Sequence, residues 1–233
     1  MSVFKKKNKL APAYSWRGTA EEPGILVHYR SDHHARSDTL FWCLSWVAVL
    51  LHLHLFIPEA PNLPQQIYRG LLLGSYALMF LFPAWLLARP TNWFSRPLQL
   101  TSQVLLVCLA HLLIHVDHLL WSSQGQHLTA LSADQILEFL RARYPLAVPL
   151  ALVLIQTLLR SLASLVILFA PRLPMPSLRV VVLIFLAATC AERLGHALGH
   201  YEHNRALLRM ADAMPFYQPL ELDEHMQRLR GGF

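Results

Sequence analysis

Five long apolar runs, separated by short polar and proline-rich stretches, dominate the chain from residue 40 onward. Leu40 to Ile57 is closed by Pro58, Pro61 and Pro64, and Ile67 to Ala88 by Arg89-Pro90. Leu98 to Trp121 follows, then Leu146 to Ala170 between Pro145 and Pro171, then Leu178 to about His200, preceded by Pro174 and Pro176. A helix needs about 20 apolar residues to cross a hydrocarbon core of about 30 Å. Backbone polar groups in lipid must be satisfied internally, so helix is the expected state of all five runs. The predicted fold class is all-α: a polytopic membrane protein with five transmembrane helices.

The polar positions divide the rest. Residues 1–38, with Pro12, Gly18, Pro23 and Gly24, read as a mobile cytoplasmic arm, irregular throughout or carrying a short surface helix, 39–203 as the transmembrane domain and 204–233 as a polar tail. The arm lacks the apolar core of a secretion signal, so the first span is expected to act as its own insertion signal. Between Ser122 and Pro145, Ser132 followed by Gln135 has the spacing of a capping box. Ala133, Ile136, Leu137 and Leu140 then share one face, which predicts a short amphipathic helix, lying on the outer membrane surface or packed on the bundle. In the tail, Glu221, Asp223 and Glu224 precede Arg228 and Arg230, an order that suits a helix dipole and predicts a final short helix.

Charge orients the spans. Lys5, Lys6, Lys7, Lys9, Arg17, Arg30 and Arg36 lie before the first run, Arg89 and Arg96 between the second and third, and Arg172 and Arg179 between the fourth and fifth. The opposite loops hold Arg69, Arg141 and Arg143. Positive residues collect on the cytoplasmic side, so the N-terminus is expected inside and the C-terminus outside. Trp42, Trp85 and Trp93 then fall at inner ends, and Trp121, Tyr144 and Tyr201 at outer ends, as aromatic belts require. The chain is 55% hydrophobic and 15% charged, against about 25% charged in soluble domains, which again fits lipid as the solvent. Its net charge of +6 is explained by these flanks, and no nucleic-acid recognition motif accompanies it. Cys43, Cys108 and Cys190 each lie inside an apolar run with no CxxC pair, so neither a disulfide framework nor a thiolate metal site is expected.

The candidate chemistry lies in the histidines. The third span carries His111, His115 and His118, with Asp117 beside them; the fifth carries His196, His200 and His203, extended one turn back by Glu192. Residues at i, i+4 and i+7 share a helix face. Both stripes fall in the outer half of the membrane at similar depth, with His52 and His54 of the first span in the same half. Gly195 and Gly199 form a small-xxx-small pair beside the second stripe, which permits a close helix contact. One reading is a transition-metal site of imidazoles with one carboxylate. Membrane di-iron hydroxylases use clustered histidines in a loosely comparable way, but carry HH pairs on cytoplasmic extensions; here His33-His34 stands alone. The plainer reading is a polar seam whose histidines bond to one another, to Asp117 and to Glu192. Arg160, midway in the fourth span, calls for a carboxylate on a neighbouring helix or a lipid headgroup; snorkelling across ten residues is far. No G-x-S-x-G, P-loop or GxGxxG motif is present.

Order and spacing of short motifs give a family resemblance over roughly residues 35 to 230. Asp117 ends the third span and is followed ten residues later by His127-Leu128-Thr129-Ala130; after the fifth span comes Met214-Pro215-Phe216-Tyr217-Gln218-Pro219-Leu220. This resembles the N-terminal membrane domain of the YejM-type (also called PbgA-type) inner-membrane proteins of Gram-negative bacteria. There the third span ends in an aspartate followed by His-Leu-Asn-Pro, and the fifth leads to Leu-Pro-Leu-x-Tyr-Pro-Leu/Met-Thr. The resemblance implies five spans and a role in envelope lipid homeostasis. It also implies a large periplasmic sulfatase-like domain beyond residue 233, whose activity is not expected of this chain. In that family a Thr-x-Arg-Arg stretch of the linker helps hold the lipid A part of lipopolysaccharide. The matching positions here are Glu221, Leu222, Asp223 and Glu224, and acids are poor partners for phosphate. Arg205 and Arg209 are left as the residues to meet headgroups.

The expected function is therefore a non-enzymatic, multi-pass inner-membrane protein that binds anionic lipid headgroups or another membrane protein. A membrane-embedded metalloenzyme built on the histidine stripes, and an accessory subunit of a separate envelope enzyme, are the alternatives.

Overall fold

A computed structural model describes residues 23–93 and 95–217, and the described residues are helical with no strand. Seven α-helices follow in order: α1 Pro23–His54, α2 Leu63–Ala88, α3 Arg96–Gln124, α4 Ala133–Arg143, α5 Ala147–Phe169, α6 Leu178–Tyr201 and α7 Arg205–Asp212. Four segments are long and apolar enough to cross a membrane: Leu63–Thr91, Arg96–Gln124, Ala147–Phe169 and Arg179–Tyr201. The chain is thus an all-α protein with the helices of a multi-pass membrane protein.

Local sequence explains where these helices start and stop. Asn62 caps α2 by accepting from Gln65 N, and Ser177 caps α6 by accepting from Val180 N. Pro64 and Pro97 sit in the first turns of α2 and α3, where a missing N–H costs nothing. Gly125, at φ 68°, ends α3 in the left-handed conformation that glycine adopts without penalty.

Two expectations are corrected, and a third falls outside the described residues. The arm is helical from Pro23, so α1 begins seventeen residues before the predicted first span and ends at His54 rather than Ile57. Residues 23–38 are polar, but proline at a first helical position starts a helix, and the segment continues as one rod into the apolar part. On α4 the predicted capping box is present in full, with Ser132 Oγ accepting from Gln135 N and Gln135 Oε1 accepting from Ser132 N at 2.9 Å. Its buried face is set differently: Phe139 packs on Val116 and Leu120 of α3, with Leu140 and Tyr144 beside it, while Leu137 is 49% exposed. The largest side chain, one position round the helix from the predicted centre, decides the face. The expected tail helix over Glu221–Arg230 lies outside the described residues; the tail helix described is α7, capped by Asn204 accepting from Leu207 N.

The bundle is ordered by its contacts. α2 packs against α1, α3 and α6, and α5 against α1 and α3. Ser37 of α1 meets Ser164 of α5, while Ser45 meets Gln156, so these two helices are antiparallel. Asp38 of α1 meets Arg96 and Gln99 of α3 at one end and His52 meets His111 at the other, so α1 and α3 are parallel. The core between them holds Phe41, Val49, Leu53, Leu72, Val107 and Ile114. The outward faces of α5 and α6 remain apolar and exposed, with Leu150, Leu154, Leu158, Leu183, Ile184 and Leu194 among them, as lipid contact requires.

Candidate functional site

The two histidine stripes face different neighbours. On α3, His111 is buried: its Nδ1 lies 2.9 Å from His52 Nδ1 on α1, and its Nε2 lies 3.0 Å from Gln156 Nε2 on α5. Ser45 donates to Gln156 Oε1 at 3.4 Å. With the amide N–H donating to His111 Nε2, His111 Nδ1 carries the proton and donates to His52, so the bonds form one polarised line. His115 stacks on His52 at 5.7 Å, and His118 stacks on Phe56 at 3.8 Å.

On α6, Glu192 and His196 are buried and look onto α2 and the segment after α7. Tyr68 donates to Glu192 Oε1 at 3.4 Å, and Arg193 Nε lies 3.3 Å from Glu192 Oε2. His196 lies against His200 at 4.6 Å and Tyr217 at 5.2 Å. Gly195 permits this approach: a Cβ there would lie 2.7 Å from Tyr68 Cδ2. At Gly199 a Cβ would meet Leu207 of α7 at 3.4 Å. The small-residue pair thus serves two contacts, one with α2 and one with α7. His203, with φ 53°, turns the chain from α6 into α7. Because α2 packs against both α3 and α6, the stripes belong to separate clusters. Among the described residues no group of three or more His, Cys, Asp or Glu side chains is gathered to hold a metal ion.

Arg160 is 5% exposed and bonds to Asp38 of α1, with its second terminal nitrogen donating to the Ser37 carbonyl at 3.1 Å. Arg96 takes both oxygens of the same carboxylate at 2.7 and 2.9 Å, and Gln99 donates to it at 3.3 Å. A buried guanidinium is tolerated when it is paired and hydrogen-bonded, and here one aspartate joins three helices.

Asp117 organises the opposite end of the bundle. Its buried carboxylate accepts from His127 Nδ1 at 2.7 Å, Leu128 N at 2.6 Å and Phe216 N at 3.1 Å. His127 Nε2 reaches the Asp212 carbonyl at 3.2 Å, and its ring stacks on Trp121 at 4.5 Å. Burial alone would lower the His127 pKa. The hydrogen bond and charge of Asp117, together with the carbonyl and charge of Asp212, outweigh it and hold the imidazole above its ordinary value. Arg205 and Arg209 are exposed one turn apart on α7, while Met210 and Ala211 of that helix are buried against the core.

Sequence reasoning placed Arg160 inside the bundle without its partner, Asp38, the acid nearest the first apolar run. It missed Gln156, an amide in an apolar helix level with His111, and Tyr217 as a lid over Glu192. The segments carrying the family resemblance, Asp117, His127-Leu128 and Met214–Tyr217, meet in space. No protein-family model, no curated protein and no solved structure matches the chain.

Proposed function

We propose that this chain is a non-enzymatic, multi-pass protein of the bacterial inner membrane that serves envelope lipid homeostasis by holding anionic lipid headgroups at its outer end. The observation that carries the reading is the Asp117 knot. One buried carboxylate binds the loop after α3 and the segment after α7, and so fixes α7 across the end of the bundle with Arg205 and Arg209 turned outward. Two guanidiniums one helical turn apart can each give paired N–H donors to phosphate oxygens. The meeting of the resemblance segments at this knot supports the likeness to the YejM-type membrane domain.

In this reading the apolar half of α1 is a fifth span, the N-terminus is cytoplasmic and α7 is periplasmic. The parallel α1 and α3 and the antiparallel α5 support that alternation. Lipid co-purifying with the protein tests the proposal. Native mass spectrometry of the detergent-solubilised protein is expected to show bound anionic lipid, and Arg205→Glu with Arg209→Glu is expected to lose most of it. Equal lipid retention in the double variant, with its helical content intact, would overturn the reading.

A further inference from the structure

Asp117 and His127 hold the same two pieces of chain from opposite sides. Asp117 binds the loop through Leu128 N and the segment after α7 through Phe216 N. His127, on the loop, reaches Asp117 through Nδ1 and the Asp212 carbonyl through Nε2. Carboxylate and carbonyl oxygens offer only lone pairs, so both ring nitrogens must carry hydrogen in this geometry. A neutral imidazole has one N–H and must give up one of the two bonds.

The segment so held is a cap. Met214 and Tyr217 are buried in the bundle core, and Phe216 packs on Phe80 at 5.6 Å. Phe216 adopts φ 57°, a left-handed backbone that costs a residue with a Cβ roughly 1–2 kcal/mol. Its amide bond to Asp117 and its ring contact offset that cost. Beneath the cap lie Glu192 and His196, against Tyr217.

We infer that His127 is a proton-operated latch: its imidazolium ties the cap, Asp212–Tyr217, to the end of α3, and loss of the proton frees the cap from the outer mouth of the bundle. The charged and titratable groups facing it are Asp117 from α3 and Asp212 from α7. His118 of α3 acts in turn on Asp117, and His200 of α6 on Asp212. Burial pushes the Asp212 carboxyl up, against the pull of His200 and His127. The sign follows from linkage. A His pKa raised by folding contributes stability that is complete below the ordinary value of about 6.5 and is lost as pH rises through the raised value. The latch is closed on the acidic side and opens on the alkaline side. This inference shares the Asp117 knot with the lipid reading but does not need a bound headgroup, because neither Arg205 nor Arg209 takes part in it.

Hydrogen exchange read by mass spectrometry on the full chain tests it, with rates corrected for intrinsic pH dependence. Protection of a peptide spanning 210–217 is expected to fall between pH 6 and pH 9 in the wild type, as the imidazolium of His127 loses its proton. In His127→Gln, which keeps one donor but cannot titrate, protection is expected to be low and flat across that range. An unchanged pH dependence in His127→Gln, or none in the wild type, would sink the latch. Peptides from α2 and α3 report whether the variant folds. If it does not, nitrogen-15 spectra of histidine-labelled wild type decide: an imidazole protonated on both nitrogens at pH 6 and on one at pH 9 is required, and its absence refutes the proposal.

Discussion

Arg160 of α5 donates to Asp38 of α1, and Asp38 also holds Arg96 and Gln99 of α3, so one carboxylate carries the electrostatics of three helices. The two sides of the pair are unequal. Removing Asp38 leaves a nearly buried guanidinium without its counter-charge, whereas removing Arg160 leaves a carboxylate that still has a bidentate arginine and an amide. Breaking a buried pair from the costly side is worth about 3–5 kcal/mol. Asp38→Asn is expected at the lower end, because Asp38 and Arg96 are partly exposed. Arg160→Met is expected to cost clearly less. Thermal unfolding in one detergent measures both, and equal losses would show that Asp38 does not depend on Arg96 as described.

Gly195 and Tyr68 define the closest helix approach beside the second histidine stripe. A methyl group at 195 would sit 2.7 Å from Tyr68 Cδ2, well inside van der Waals contact, and the Tyr68 ring is pinned by its bond to Glu192. Overpacking of this kind costs about 1–3 kcal/mol. Gly195→Ala is expected to destabilise by that amount, and Tyr68→Ala in the same chain to recover the clash but not the lost hydrogen bond. Gly199→Ala meets Leu207 at an ordinary 3.4 Å and is expected to be mild. A Gly199→Ala loss as large as that of Gly195→Ala would contradict this assignment.

How far the sequence discloses this architecture depends on the kind of interaction. α2, α3, α5 and α6 are legible because lipid demands long apolar runs, and a proline stands near the start of each, at Pro64, Pro97, Pro145 and Pro176. The capping box at Ser132 is legible because both bonds are local. The early start of α1 is not, since Arg30, Asp32, His33, His34 and Arg36 give residues 23–38 no apolar pattern. The short α7 shows only Asn204 as a cap signal. Pairings across helices, such as Arg160 with Asp38 or His111 with Gln156, depend on depth and rotation together, which one helix's periodicity does not fix. The same reason explains why two stripes with identical spacing and similar depth do not meet: α2 packs against both helices.

His115 and His200 lie in separate clusters, on helices that α2 keeps apart. His115 lies against His52, Phe56 and Tyr144, and His200 against His196. Distant sites add within about 0.5 kcal/mol. The stability losses of His115→Ala and His200→Ala are therefore expected to sum in the double variant. A metal held jointly by the stripes would make the first substitution abolish the site and the second nearly free. Elemental analysis of the purified wild type and of the double variant accompanies the measurement. A stoichiometric transition metal lost with strongly non-additive energetics would revive the metalloenzyme reading.

Phe139 and Leu137 lie two positions apart on α4 and separate packing from surface contact. Phe139 is buried against Val116 and Leu120, and Leu137 is half exposed among Asp134, Glu138 and Arg141. Truncating a buried phenylalanine costs about 3–5 kcal/mol in a well-packed core. α4 is a short helix at the edge of the bundle, so Phe139→Ala is expected below that range and to loosen α4 locally, raising amide exchange over 133–143 more than over α3. Leu137→Ala removes no internal contact of that size and is expected to leave exchange unchanged, while weakening any hold of α4 on a lipid surface. Exchange that rises equally for both variants would mean that α4 rests on the membrane rather than on α3.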